Sequence, residues 1–394
     1  MFVNIRPIRA VQKNRKKTAA LILLIIGLFN PRPVLAGEPI RVLLVPDPPS
    51  VTISGNPSLT LTDTDGHLLA EGFKSPVVIA AGPQGLIVQN ESTDQRELVA
   101  SSGRGEIHVN DMTVGGILHI ALYHDKLRLI NELDIEEYLK GVVPIEISTK
   151  WHPEALKVQA IIARTYALYQ RQVNLGKEYD VQATTADQVY GGRDKENPLA
   201  NQAIAESRGL VLTFGGQLIL SAYHSTSAGP TENASEVWGM DLPYLKGVSC
   251  PFDQNSPYYQ WSKSIPMEAV QKTFSTAGYS IGTIASITPF RWTEAGRISQ
   301  IRLIHSQGEL ILKAEDLRRI LGYTELPSTH FRIEKIGREI RIQGNGYGHG
   351  VGLCQWGAKE MAEMGYRYDR ILKYYYPGVL VAPYSSITAV EPAP

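Results

Sequence analysis

The feature that most constrains the fold is a change of hydrophobic period at Asp134. Before it, from Ile40 to about Ile130, short apolar runs such as Val77-Val78-Ile79-Ala80 and Leu118-His119-Ile120-Ala121-Leu122 are broken by Gly, Asn, Asp and Pro. That pattern predicts the strands of a small β domain. After it the period is helical: Asp134 and Glu137 stand three apart as in a capping box before Tyr138, Leu139, Val142 and Val143, and Pro144 is expected to stop the helix. A second helix is predicted from Pro153, whose preset φ suits a first turn, to about Val173. Its face of Leu156, Ala160, Ala163 and Ala167 lets another element approach closely. Strand-like runs return at 210–214, 218–223, 298–304 and 340–343, with a short helix at 314–321 among them and a last helical pair at 355–363 and 368–375. The fold class expected is α+β: a β-rich N-terminal domain at 37–130, a mixed domain of β-sheet and helices at 131–380, and a disordered tail at 381–394.

At the N-terminus Lys13, Arg15, Lys16 and Lys17 precede an apolar run from Ala19 to Phe29 that ends near Val34-Leu35-Ala36. The run is shorter than the ~20 residues that span a bilayer, so residues 1–36 read as a signal peptide, with an uncleaved anchor as the alternative. The mature chain is then exported, to periplasm or cell wall, with no stable membrane insertion. With 394 residues, 43% of them hydrophobic, it can bury a full core without disulfides. Cys250 and Cys354 are its only cysteines, too few for a Cys-rich zinc module; whether they pair is open. Lys+Arg and Asp+Glu both total 39, so no net field favours nucleic acid, and a near-neutral partner such as a saccharide fits better.

Four segments carry candidate chemistry. Glu146, in Val142-Val143-Pro144-Ile145-Glu146-Ile147, is flanked by apolar residues just past a helix C-terminus. Desolvation and the helix dipole both oppose its ionisation, which suits a general acid. A Glu of ordinary pKa is protonated roughly 1 part in 500 at pH 7, whereas a pKa near ~6 makes it about one in ten. The plainer alternative is a Glu that pairs with Lys150 or solvent. Arg164 is set in a small, apolar helix face and needs a planar anionic or carbonyl partner, either a ligand or a structural ion pair. Tyr223-His224-Ser225-Thr226-Ser227-Ala228-Gly229 offers clustered hydroxyls and an imidazole for sugar hydroxyls, or else a turn satisfied by its own side chains. No G-x-S-x-G elbow supports a Ser nucleophile. Finally, glycine at alternate positions from Gly344 to Gly352 fits neither a dinucleotide nor a P-loop pattern, but lets extended backbone pack beside a site from which His349 projects. His224 and His349 have no H-E-x-x-H or Cys pair around them, so no metal and no cofactor are expected.

Together these residues resemble the SpoIID/LytB family. The resemblance runs through Leu133-Asp134-x-x-Glu137-Tyr138-Leu139-x-Gly141-Val142-Val143-x-x-Glu146, Trp151-x-Pro153-Glu154-Ala155-Leu156-Lys157-x-Gln159-Ala160 and Ala163-Arg164-Thr165-Tyr166-Ala167. It continues in Gln188-Val189-Tyr190-Gly191-Gly192, His224-Ser225-Thr226-Ser227-x-Gly229-x-Thr231 and Gly348-His349-Gly350-Val351-Gly352-x-x-Gln355-Trp356-Gly357-Ala358, ending in Tyr375-Tyr376-Pro377-Gly378. It implies a lytic transglycosylase cutting the MurNAc-GlcNAc β-1,4 bond of peptidoglycan strands stripped of stem peptides, leaving 1,6-anhydro ends. The family's catalytic glutamate falls on Glu146. Arg164 is then a candidate for the lactyl carboxylate, and Gln188, Tyr190, His224, Ser225, Thr226, His349 and Gln355 for the glycan groove. Some family members are described with a Cys-containing metal site near the His-Ser-Thr block; no Cys lies between Tyr223 and Ser249 here, so that metal is not carried over. A sporulation role is not carried over either. Two competing readings are a non-catalytic LytB-type enhancer of a cell-wall amidase, and a hydrolase with Asp187 as second carboxylate.

Overall fold

A computed structural model describes residues 37–45, 47–73 and 75–387. Residues 1–36, and with them the signal-peptide reading, lie outside the described residues. The architecture is α+β, in two compact units. Of the described residues, the first comprises those up to Glu137 together with 181–187 and 192–194; the second comprises 138–180, 188–191 and those from Lys195 onward.

The first unit is built from two sheets. One has seven strands in the order Val181–Gln182, Pro39–Val45, Lys126–Asp134, Ile117–Tyr123, Glu97–Ser102, Leu59–Thr62 and Leu68–Phe73. The other has six: Met112–Gly115, Glu106–Val109, Ser50–Gly55, Val77–Ala81, Leu86–Val88 and Glu91–Ser92. Because side chains alternate across a strand, Val51 and Ile53, Leu118 and Ile120, and Leu127 and Leu129 are buried at two-residue spacing. Asn131 is buried among them and donates to the Gly115 and Ile117 carbonyls at 2.7 and 3.0 Å, so its amide carries no desolvation debt on the donor side.

Helix α1 (Ile135–Glu146) begins where Asp134 Oδ1 accepts the Glu136 N–H at 2.9 Å. Pro144 does not stop it. The helix continues to Glu146, and the Ile147 N–H still reaches the Val143 carbonyl at 3.2 Å. A proline in the last turn removes one donor without obstructing the turn that follows it. Helix α2 (Pro153–Val173) is capped by His152, whose Nδ1 accepts the Glu154 N–H at 3.2 Å. The remaining helices are α3 (Pro198–Glu206), α4 (Ala234–Trp238), α5 (Met267–Thr276), α6 (Ala314–Leu321), α7 (Gln355–Glu363) and α8 (Tyr368–Tyr375). Of these, α3, α4 and α5 were not legible in the hydrophobic period. Of the predicted strand at 218–223, only the ends are paired, as Gln217–Leu218 and Tyr223–His224.

The second unit holds two large apolar clusters. One gathers Val158, Ile161 and Ile162 of α2 with Leu353, Met361, Ile371, Leu372 and Tyr375. The other packs Val270 and Phe274 of α5 and Leu317 and Ile320 of α6 against Ile287, Ile301, Leu303 and Ile342 from two three-stranded sheets. Among the described residues, no helix is long and apolar enough to cross a membrane. The expectation of disorder from residue 381 is corrected: Leu380–Pro383 pairs antiparallel with Leu210–Phe214, and a 3-10 turn, Tyr384–Ser386, follows. Ladder hydrogen bonds hold its first residues, and of this tail 388–394 lie outside the described residues.

Candidate functional site

Glu146 is the last residue of α1 and is half-buried. Burial pushes its carboxyl up to about 7, against the hydrogen bonds it accepts from the Val189 N–H and the Tyr223 hydroxyl. Among the described residues, no other carboxylate contributes to the shift. The carboxyl is therefore poised between acid and base near neutral pH, and its two donors favour the anion once a proton has left.

One of those donors, Tyr223, ends a directed chain. Tyr138, in α1, gives its hydroxyl proton to Gln188 Oε1 at 3.3 Å; Gln188 Nε2 donates to the Tyr223 oxygen at 3.2 Å; Tyr223 donates to Glu146. Burial, with Glu146 next, holds the Tyr223 hydroxyl well above its ordinary pKa, so it stays a donor. Tyr190 stacks on Tyr138 with ring centroids 5.2 Å apart. From the other side Gln355, the first residue of α7, donates to the Glu146 carbonyl at 3.4 Å and to Gln159 Oε1 at 3.2 Å. Gln188, Tyr190 and Gln355 thus do gather around Glu146, but all three are buried. They hydrogen-bond or pack around the neighbours of Glu146, and as buried side chains they present little to a glycan.

Arg164 is corrected more strongly. It is fully buried, and its Nη1 donates to the Leu210 carbonyl at 3.0 Å and sits 3.5 Å from that of Ala160. The guanidinium joins α2 to a strand and exposes nothing to a ligand carboxylate.

The His-Ser-Thr block is closed as well. His224 Nδ1 lies 3.1 Å from the Val351 carbonyl, which can only accept, so the proton sits there and Nε2 accepts from Ser227 Oγ at 2.8 Å. Burial drives the His224 pKa well below its usual value. His349 accepts the Val351 N–H on Nδ1 at 3.0 Å and donates to the Tyr223 carbonyl; burial lowers its pKa to about 3. Its ring packs 5.0 Å from that of Trp238. Thr226 is buried, with its hydroxyl 2.6 Å from Ser256 Oγ. Ser225 is only half-buried and keeps surface within the loop. The glycine run explains the closeness: a Cβ on Gly348 would come 2.6 Å from the His224 Cβ, and one on Gly352 would come 2.1 Å from the Ala222 carbonyl. Both have positive φ, so this backbone is coiled and not the extended strand expected from alternation.

Asp187 is engaged within the first unit, where its Oδ2 accepts the Gln182 N–H at 2.9 Å. Sequence reasoning missed Tyr138, Gln159 and Tyr223. Gln159 had a signal, as a single amide between Val158 and Ala160 on an apolar helix; Tyr138 read only as part of the α1 face and Tyr223 as the end of a strand.

A sequence model described as "Stage II sporulation protein" matches residues 123–214, and one described as "Domain of unknown function (DUF8618)" matches 245–352. Stage II sporulation protein D of Bacillus subtilis is 32% identical over 316 residues, covering 76% of this chain and 87% of that protein. The chain belongs to the SpoIID/LytB family. An uncharacterized protein of Brachyspira hyodysenteriae is 32% identical over 88% of this chain and 94% of its own length. The Bacillus subtilis amidase enhancer is also 32% identical, over 62% of this chain, which spans 40% of that relative's length. In this SpoIID/LytB chain the family's first motif block runs along α1 and ends on Glu146.

Proposed function

We propose that the protein is an exported peptidoglycan lytic transglycosylase with Glu146 as its single acid and base. Membership of the family supports a cell-wall role. The observation that carries the finer reading is one half-buried carboxyl held near neutral pKa by burial, with no second carboxylate acting on it. Glu146 protonates the glycosidic oxygen as the bond from MurNAc C1 breaks. The carboxylate so formed, steadied by Tyr223 and Val189, takes the proton of the MurNAc 6-hydroxyl as that oxygen bonds to C1. The proton count closes, the acid is regenerated, and no activated water is needed.

The test is purified protein incubated with denuded glycan strands, with mass spectrometry of the ends. Anhydro-muramic ends from wild type and none from Glu146→Gln support the reading; reducing ends would mean hydrolysis. The similarity to an amidase enhancer favours a second reading, a non-catalytic modifier: cleavage by neither protein, with amidase stimulation by both, would establish it. N-terminal sequencing of the exported form checks removal of 1–36.

A further inference from the structure

Against the His224 loop, in the apolar cluster around α2, α7 and α8, lies a polar knot that glycan cleavage does not use. Cys250, Asp253 and Cys354 are all buried, and each offers a ligand atom within 4.8 Å of the other two. Both thiols are free. Cys354 Sγ is 3.3 Å from Asp253 Oδ2, which also accepts the Ala228 N–H at 2.7 Å. The other carboxylate oxygen, Oδ1, is buried with no partner. A fully buried carboxylate oxygen left unpaired is costly, and its neighbours here are two soft donors.

We propose that Cys250, Asp253 and Cys354 bind a borderline-soft divalent cation of the Zn²⁺ class, which ties the 250–253 loop to the start of α7. The donor set is of the type such ions select, and a carboxylate completes thiolate sites. Tetrahedral geometry with Zn–S near ~2.3 Å sets sulfurs roughly 3.8 Å apart, and the ligand atoms here all lie within 4.8 Å of one another. Cys354 is already held in place: it caps α7, and its sulfur receives the Gly357 and Ser227 N–H groups, each at 3.4 Å. The Tyr375 hydroxyl, 3.3 Å from Cys250 Sγ, stands where a fourth ligand could enter.

Charge also permits it. The ion displaces two thiol protons to solvent, so the buried cluster keeps its net charge. Arg297, itself buried, interacts favourably with Asp253 and Cys354 while facing Glu232 Oε1 at 3.6 Å and donating to the Ser227 carbonyl at 2.7 Å. A disulfide between the cysteines would consume the sulfurs and leave Asp253 Oδ1 as unpaired as before. The site is independent of whether Glu146 cleaves glycan.

The test uses the full chain, purified under reducing conditions without chelator. Elemental analysis should find about one equivalent of metal, and Co²⁺ added to chelator-treated protein should give the visible absorption of a tetrahedral thiolate site. Cys250→Ser, Cys354→Ser and Asp253→Asn should each weaken Co²⁺ binding on the order of 100-fold. If a variant does not fold, the wild-type chain still decides: an intact mass short by two hydrogens with no titratable thiol would establish a disulfide and overturn the proposal. Two titratable thiols with no Co²⁺ absorption would overturn it as well.

Discussion

The end of α1 and the loop from His224 to Gly229 both present polar residues from family motifs, yet they treat them in opposite ways. At Glu146 the fold leaves an ionisable group half-open, surrounds it with oriented neutral donors and lifts its pKa to about 7. At the loop it closes over the imidazoles, fixes both ring nitrogens of each and holds them neutral. The same residue types that make a reactive site when one face is open make a scaffold when every face is satisfied. Motif membership marks where a fold is constrained; accessibility and unspent hydrogen-bonding capacity mark where it acts.

The sharpest way to break this contrast is Glu146→Gln. Removal of the acid should cut formation of anhydro ends by roughly 10² to 10⁴ while circular dichroism and glycan binding change little. Wild-type turnover should also fall as pH rises through about 7, where the carboxyl loses its proton, and residual turnover in the variant should lack that limb. The linkage has a definite sign: an acid whose folded pKa is raised costs stability as pH climbs from its unfolded value towards about 7. Denaturation at pH 8 should therefore find Glu146→Gln more stable than wild type by on the order of 1 kcal/mol, with no gain at pH 4.

On the scaffold side, Arg164→Lys should lower stability by about 2–4 kcal/mol, because the Leu210 carbonyl loses its partner and a buried ammonium gains too few. Activity per folded molecule should stay near wild type. A soluble, fully folded Arg164→Lys protein that has lost cleavage would return Arg164 to the substrate.

The histidines make a further, smaller claim. A base whose folded pKa is depressed to about 3 takes up its proton only in the unfolded chain across the interval up to about 6.5, so stability must decline as pH falls through that window. His349→Gln should flatten the decline. The least effect is expected from Tyr223→Phe. Loss of one hydrogen bond to the carboxylate should slow turnover by about tenfold or less and move its alkaline limb upward, since that bond holds the Glu146 pKa down. A downward movement would mean that the chain from Tyr138 does not act on Glu146.

Much of the scaffold was legible because local signals agree with tertiary ones. The capping Asp134, the first-turn Pro153 and the period of α6, α7 and α8 appear in the structure within a residue or two of where they read. Helices α3, α4 and α5 were hidden, α3 because its buried face is mostly alanine and α4 because it has only five residues. Glu146 was legible from its apolar flanks. The burial of Arg164 was not, since a guanidinium meeting backbone carbonyls leaves no mark on the sequence. Nor could spacing show Gln188 and Tyr223 meeting through their hydroxyl and amide, 35 residues apart.

The strand Val181–Gln182 lies parallel to Pro39–Val45 in the first unit, and after four residues in the second the chain returns at 192–194. The two units are thus sewn together by repeated crossings, and no single cut releases either as a contiguous piece. A fragment begun at residue 131 would strip Val181 and Gln182 of their ladder. An evolving genome that shuffles this protein must therefore move both units as one cassette.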